Sequence, residues 1–158
     1  TALDIINFYK LDNNSSVLDI GCAKGFTLYE MKKHLPNLII KGVDISEYAI
    51  SNCKNEVRNF LETGNANNLK FENNSFDLVI SLVTIHNLNN KECAESLKEI
   101  NRVSKKDAFI TVDAYRNDEE REAMLAWNLT AETILHVDDW KVLFSKADYN
   151  SDYYWFMP

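Results

Sequence analysis

Apolar residues in this 158-residue chain fall into short runs separated by stretches of helical spacing. The runs lie near 16–20, 38–43, 60–64, 76–82 and 107–113 and predict strands, Val17 to Ile20 as one buried on both faces. Between them, Phe26, Leu28, Met31 and Leu35 form one apolar face, Ala49, Ile50, Cys53 and Val57 a second, and Cys93, Leu97 and Ile100 a third. These predict helices near 25–35, 46–58 and 90–104, the second opened by Ser46 and the third by Asn89 or Asn90 as N-caps. Residues 2–10 predict a short leading helix. Strands and helices alternating from 16 to 113 argue an α/β fold, with helices on both faces of a mostly parallel sheet.

Beyond Asp113, the face Met124, Trp127, Ala131 and Ile134/Leu135 predicts a helix over 117–135, and a further short helix is expected at 138–147. The aromatic run Tyr153-Tyr154-Trp155-Phe156 reads as an outer strand whose large rings cover the core. No linker, repeat or low-complexity tract divides the sequence, so residues 1–158 are expected to form a single domain. The chain opens on Thr1 rather than Met, which fits an ordered portion of a longer chain.

Composition adds mostly exclusions. A hydrophobic share of 46% and a charged share of 26% are ordinary for a globular domain. The formal net charge is −7, and cations cluster only as Lys32-Lys33 and Lys105-Lys106, which disfavours a nucleic-acid partner. Cys22, Cys53 and Cys93 have neither disulfide-framework nor zinc spacing; Cys53 and Cys93 are expected as packed small hydrophobes on helix faces. With no long apolar run and no charged-then-apolar leader, neither membrane span nor signal peptide is expected, and a cytoplasmic location fits. Asn128-Leu129-Thr130 is a glycosylation sequon, read as chance in a cytoplasmic chain.

The informative stretch is Val17-Leu18-Asp19-Ile20-Gly21-Cys22-Ala23-Lys24-Gly25-Phe26, a buried strand that breaks into a small-residue turn and then a helix. Gly21 and Gly25 let the backbone approach a ligand, and the helix start is expected to present free N–H groups. The order Asp19-x-Gly21-x-Ala23-x-Gly25 is not the dinucleotide G-x-G-x-x-G spacing. It resembles the first motif of the Rossmann-like, class I S-adenosylmethionine-dependent methyltransferases. Gly42-Val43-Asp44-Ile45-Ser46 resembles that family's acidic second-strand end, and Gly64-Asn65-Ala66 its adenine-contacting turn. Phe76-Asp77-Leu78-Val79-Ile80-Ser81 resembles the fourth strand and Leu97 to Val103 the helix after it, so the likeness runs in register over residues 15–113. It implies a three-layer, Rossmann-like sandwich, with the family's seven strands reduced to about six here.

The resemblance also implies roles. Asp44, at a strand's carboxyl end, is expected to accept both ribose hydroxyls of S-adenosyl-L-methionine, against the alternative of a helix N-cap duty. Asp19, costly as an unpaired charge inside a strand, is expected to hold the turn and reach the cofactor's amino group. Gly21, Cys22, Ala23, Gly25 and Ile45 complete that side, with Ala23 replacing the middle glycine and demanding negative φ. Asn65 and Ala66 are expected at the adenine, where the Asn65 amide both accepts and donates. Ser81 and Leu82 are expected along the methionine moiety. His86 is the best-placed general base by sequence, against a loop histidine bonding the methionine carboxylate or backbone. Residues 114–136 are the candidate acceptor lid, with Tyr115, Arg116, Trp127, Asn128 and His136 as acceptor contacts. Trp127 has the alternative of packing its helix down, and His136 that of a helix-start cluster.

The expected activity is methyl transfer to a small molecule, such as a sugar or another small metabolite, without a metal and without nucleic acid or membrane; a homodimer is a possible assembly. The rivals are a non-catalytic cofactor-binding subunit, and an S-adenosylmethionine-using enzyme of different outcome such as a cyclase or decarboxylase. A nucleotide-binding oxidoreductase ranks last.

Overall fold

The computed structural model describes residues 1–158. The strands are β1 (Ser16–Ile20), β2 (Ile39–Asp44), β3 (Leu61–Thr63), β4 (Phe76–Leu82), β5 (Ser104–Tyr115), β6 (Leu135–His136) and β7 (Asp152–Phe156). The helices are α1 (Ala2–Phe8), α2 (Phe26–His34), α3 (Glu47–Ser51), α4 (Asn90–Val103), α5 (Asp118–Trp127) and α6 (Val137–Lys146). The sheet runs β3-β2-β1-β4-β5-β6, and β7 also pairs with β5. Every named strand pairing is parallel, so the carboxyl ends of β1, β2 and β4 open toward the same edge.

Period-two alternation sends side chains of each strand to opposite layers. Leu18, Ile20, Val79, Ile110 and Val112 join the core formed with Cys93, Leu97 and Ile100 of α4 and Trp140 and Phe144 of α6. Val17, Ile40, Leu78 and Ile80 join the opposite core with Ile5 and Ile6 of α1, Leu28 and Met31 of α2, Cys53 and Val57. This is the three-layer α/β arrangement. Asn89 caps α4, its side chain accepting from the N–H groups of Lys91 and Glu92, and Ser46 caps α3 by accepting from Ala49. All three cysteines are free and buried, and no helix is long and apolar enough to cross a membrane.

Several elements differ from expectation. The sheet has seven strand segments rather than about six, because the two-residue β6 pairs Leu135 and His136 with Ala114 and Tyr115. The helix expected over 46–58 stops at Ser51; Lys54 then donates its N–H to the Lys24 carbonyl at 3.0 Å, and a 3₁₀ turn covers Arg58–Phe60. Cys53 therefore lies outside a helix, though buried. The helix expected over 117–135 stops at Trp127, because Asn128 Oδ1 accepts from the N–H groups of Thr130 and Ala131 and its amide donates to the Ala131 carbonyl. That local network competes with helical bonding. Phe26, expected in the core, is 55% exposed at the start of α2.

Candidate functional site

The turn after β1 is fixed by main-chain bonds. The N–H groups of Gly21 and Cys22 both donate to the Val43 carbonyl, at 2.7 and 3.1 Å, and Gly25 donates to Cys22 at 2.8 Å. Gly21 has φ +79°, and a Cβ there would collide with the Thr84 side chain, so the position requires glycine on both counts. Gly25 is buried and left-handed as well, with Val57 and Leu61 closing over it. Ala23 has φ +47°, which corrects the expected negative value: the turn imposes the left-handed conformation even without glycine. The N–H groups of Gly21, Cys22 and Ala23 are taken within the turn, while the start of α2 at Phe26 carries no side-chain cap.

Asp44 ends β2 and ties this turn to the next helix. One carboxylate oxygen accepts from Ala23 N–H and the other from Ser46 N–H, both at 2.8 Å. Each oxygen keeps further acceptor capacity. A cavity of about 640 Å³ opens above it, lined by Gly21, Ala23, Asp44, Ile45, Asn65, Ala66 and Leu82 among the residues singled out by sequence. Gly64, Asn67, Val83, Thr84, Asn87 and Glu92 also line it without having been assigned a role. Thr84 and Asn87 sit in the loop after β4, a strand end at which a site is expected; Asn67 and Glu92 reach the cavity only through tertiary packing.

Asp19, Cys22, Gly25, Ser81 and His86 do not line the cavity; they are buried around it. Burial, and secondarily the nearby Asp44 carboxylate, pushes the Asp19 carboxyl up to about 7. Burial also raises the Cys22 thiol well above its ordinary value. Ser81 Oγ has no hydrogen-bond partner.

His86 lies in the 3₁₀ turn Ile85–Asn87, with a nearly inaccessible ring. Its Nδ1 accepts the N–H of Asp113 at 3.0 Å, which assigns the proton of the neutral ring to Nε2. Burial lowers its pKa from 6.5 to about 4, so the ring is neutral at pH 7. Asp113 Oδ1 is 3.7 Å from Nδ1 and is itself without a hydrogen bond; burial raises that carboxyl. Hydrogen bonding to backbone, one of the two readings of His86, is the interaction present.

The residues expected at the acceptor lie apart from the cavity lining. Arg116 is exposed and paired with Glu120, and Tyr115 stands under the Arg121 guanidinium. Trp127 is 59% exposed, its ring 5.8 Å from that of Phe156. Asn128 is engaged in the turn that ends α5. His136 caps α6, Nδ1 accepting from Asp138 N–H and Nε2 lying 3.0 Å from the Arg116 carbonyl.

An acid anchored through both oxygens, apolar flanks from Ile20, Val43, Leu82 and Leu88, and the amides of Asn65, Asn67 and Asn87 form a cavity suited to a nucleoside-bearing ligand. The comparisons agree with this geometry. Residues 11–155 match the family model described as a methyltransferase domain. The chain belongs to the class I S-adenosylmethionine-dependent methyltransferase family, whose methyl donor is S-adenosylmethionine. An uncharacterized protein of Methanocaldococcus jannaschii, MJ1252, is 37% identical over 100 residues, covering 63% of this chain and 37% of its own length. The mitochondrial arginine-hydroxylase NDUFAF5 of Mus musculus is 29% identical over 102 residues, covering 64% and 29%. The chain thus spans about a third of the length of these curated relatives. Among solved structures, YcgJ of Bacillus subtilis superposes with a TM-score of 0.75 at 19% identity, over 92% of this chain and 66% of that one. The [4+2]-cyclase SpnF superposes with a TM-score of 0.71 at 17% identity, over 92% and 54%. At such identities these two structures speak for the fold.

Proposed function

We propose that the chain binds S-adenosylmethionine in the cavity above Asp44 and transfers its methyl group to a small-molecule acceptor by in-line displacement. The observation that carries this reading is Asp44 itself: a carboxylate with both oxygens anchored by main-chain N–H groups at the carboxyl end of β2, facing a cavity beside the glycine turn. Asp44 is assigned to the ribose hydroxyls, and Asn65 and Ala66 to the adenine. The Gly21–Gly25 turn and Leu82 are assigned to the methionine side, with Cys22, Ile45 and Ser81 completing its surroundings. When bound, S-adenosylmethionine supplies an electrophilic methyl group on a sulfonium. The chain's part is to orient the acceptor and exclude water. Segment 114–136 is assigned to covering the acceptor, and the half-buried Tyr115 with the exposed Arg116 and Trp127 to contacting it. His86, neutral and bonded to the main chain, is assigned to holding the loop after β4 rather than to taking a proton.

A second reading, an S-adenosylmethionine-binding enzyme of different outcome, draws support from the arginine-hydroxylase relative and the [4+2]-cyclase neighbour. Turnover with a pool of small metabolites separates the two. Release of S-adenosylhomocysteine together with an acceptor one methyl heavier is the expected result. Product formation with S-adenosylmethionine unconsumed would overturn methyl transfer and favour the second reading.

A further inference from the structure

The loop 83–88 has two faces with different partners. One side belongs to the cavity, lined by Val83, Thr84, Asn87 and Leu88. Val83 carries strain there: a β-branched residue at φ +54°, held by Thr111, whose carbonyl and hydroxyl oxygens both receive the Val83 N–H. The side chain of Thr84 lies directly over Gly21.

The same short stretch is stitched to residues far along the chain. The His86 carbonyl accepts from Glu132 and Thr133 N–H at 3.0 and 2.9 Å. Thr133 Oγ1 donates to the Leu88 carbonyl at 2.6 Å, and Thr130 Oγ1 meets Asn87 Oδ1 at 2.9 Å. The ring of His86 meanwhile receives the N–H of Asp113. Residues 86–88 thereby join the cavity wall to the end of β5 and to segment 128–134, which forms neither helix nor strand and leaves Leu129 95% exposed.

We infer that His86 is a positioning residue that couples the cofactor cavity to segment 128–136, so that filling the cavity orders the segment assigned to the acceptor. The inference rests on the cofactor reading above and goes beyond it in naming what links the two sites. A ligand against Thr84, Asn87 and Leu88 restricts a strained loop. Each restriction favours the bonds that the loop's other side makes to Thr130, Glu132 and Thr133, and the coupling is reciprocal. The His86 ring keeps the two sides in register, because its bond to Asp113 N–H ties the 3₁₀ turn to the end of β5, so that a restriction on one side is carried to the other.

The test is hydrogen exchange on the chain with and without S-adenosylhomocysteine, with occupancy measured by calorimetry on the same samples. Binding is expected to slow exchange in 128–136 by roughly 5-fold or more. His86→Leu is expected to bind the ligand yet lose most of that response, and His86→Asn to regain it, because the Asn oxygen can accept where Nδ1 accepts. A purely structural histidine would change global stability without making the response depend on an acceptor at this position. Should His86→Leu fail to fold, Thr133→Val, which deletes the bond to the Leu88 carbonyl, is expected to weaken the response. Ligand binding that leaves 128–136 unchanged in the wild type, or that protects it equally in His86→Leu and Thr133→Val, overturns the coupling alone. No binding at all overturns the coupling together with the cofactor reading.

Discussion

The two banks of the cavity are held by different kinds of bond. On the bank made by β1 and β2, main chain mostly grips main chain: Gly21 and Cys22 on the Val43 carbonyl, Lys54 on Lys24, and one side chain, Asp44, bridging Ala23 and Ser46. On the bank made by β4 and β5, side chains do most of the gripping: His86 on Asp113, Thr133 on Leu88, Thr130 on Asn87, and the Trp140 indole on the Asp113 carbonyl. The first arrangement preorganises a binding surface with little side-chain entropy to lose. The second joins segments distant in sequence through pairwise side-chain bonds, and so suits a wall in which a change at one partner reaches the others. One cavity combines a fixed floor with an adjustable side.

The largest expected effect falls on the fixed bank. Gly21→Val adds a left-handed β-branched residue and a collision with Thr84, together costing about 2–6 kcal/mol of folding stability by denaturant titration. A variant as stable as the wild type would show that the turn tolerates other geometries, and the contrast between the banks would dissolve. On the adjustable bank, Met124 is fully buried while Trp127 is mostly exposed. Met124→Ala is expected to cost about 2–5 kcal/mol and Trp127→Ala about 1 kcal/mol or less. The reverse order would mean that α5 presents its other face to β5.

A finer contrast lies in pH dependence. Asp19 on the first bank has its pKa raised from 3.8 to about 7, so its stabilising contribution is fully present below about 3.8 and is lost as pH rises toward 7. His86 on the second has its pKa lowered from 6.5 to about 4, so its contribution is present above about 6.5 and is lost as pH falls toward 4. The slopes oppose each other over nearly the same window. Asp19→Asn should therefore make stability rise more steeply with pH across that window, and His86→Asn should make it fall more steeply. Unfolding free energies followed from about pH 4 to 8 read both slopes; an unchanged slope in either variant places that side chain in water rather than in the core.

The same division explains what was legible in the sequence. β1 and β4 have the bounds predicted for them, because a buried parallel strand is a continuous apolar run bounded by polar residues. Strand ends mark Asp44 and Leu82, the family resemblance marks Asn65, and all three line the cavity. On the other bank the determinants are pairwise and distant. Nothing local in Leu135-His136 marks a strand; its pairing with Ala114 and Tyr115 creates one. The end of α5 did carry a signal, since Asn128 is a turn-forming residue, but the apolar period through Ile134 outweighed it. The partners of His86 come from β5 and from residues 132–133, which no spacing rule connects to it.

Asp44 is proposed to anchor the adenosyl moiety of S-adenosylmethionine. Isothermal calorimetry with S-adenosylmethionine and S-adenosylhomocysteine tests it most directly. The wild type is expected to bind both, and Asp44→Ala to lose about 1.5–3 kcal/mol, as for hydrogen bonds to a charged group. Equal affinity in the variant would remove Asp44 from the site, and a preference for a nicotinamide dinucleotide over both ligands would contradict the account as a whole.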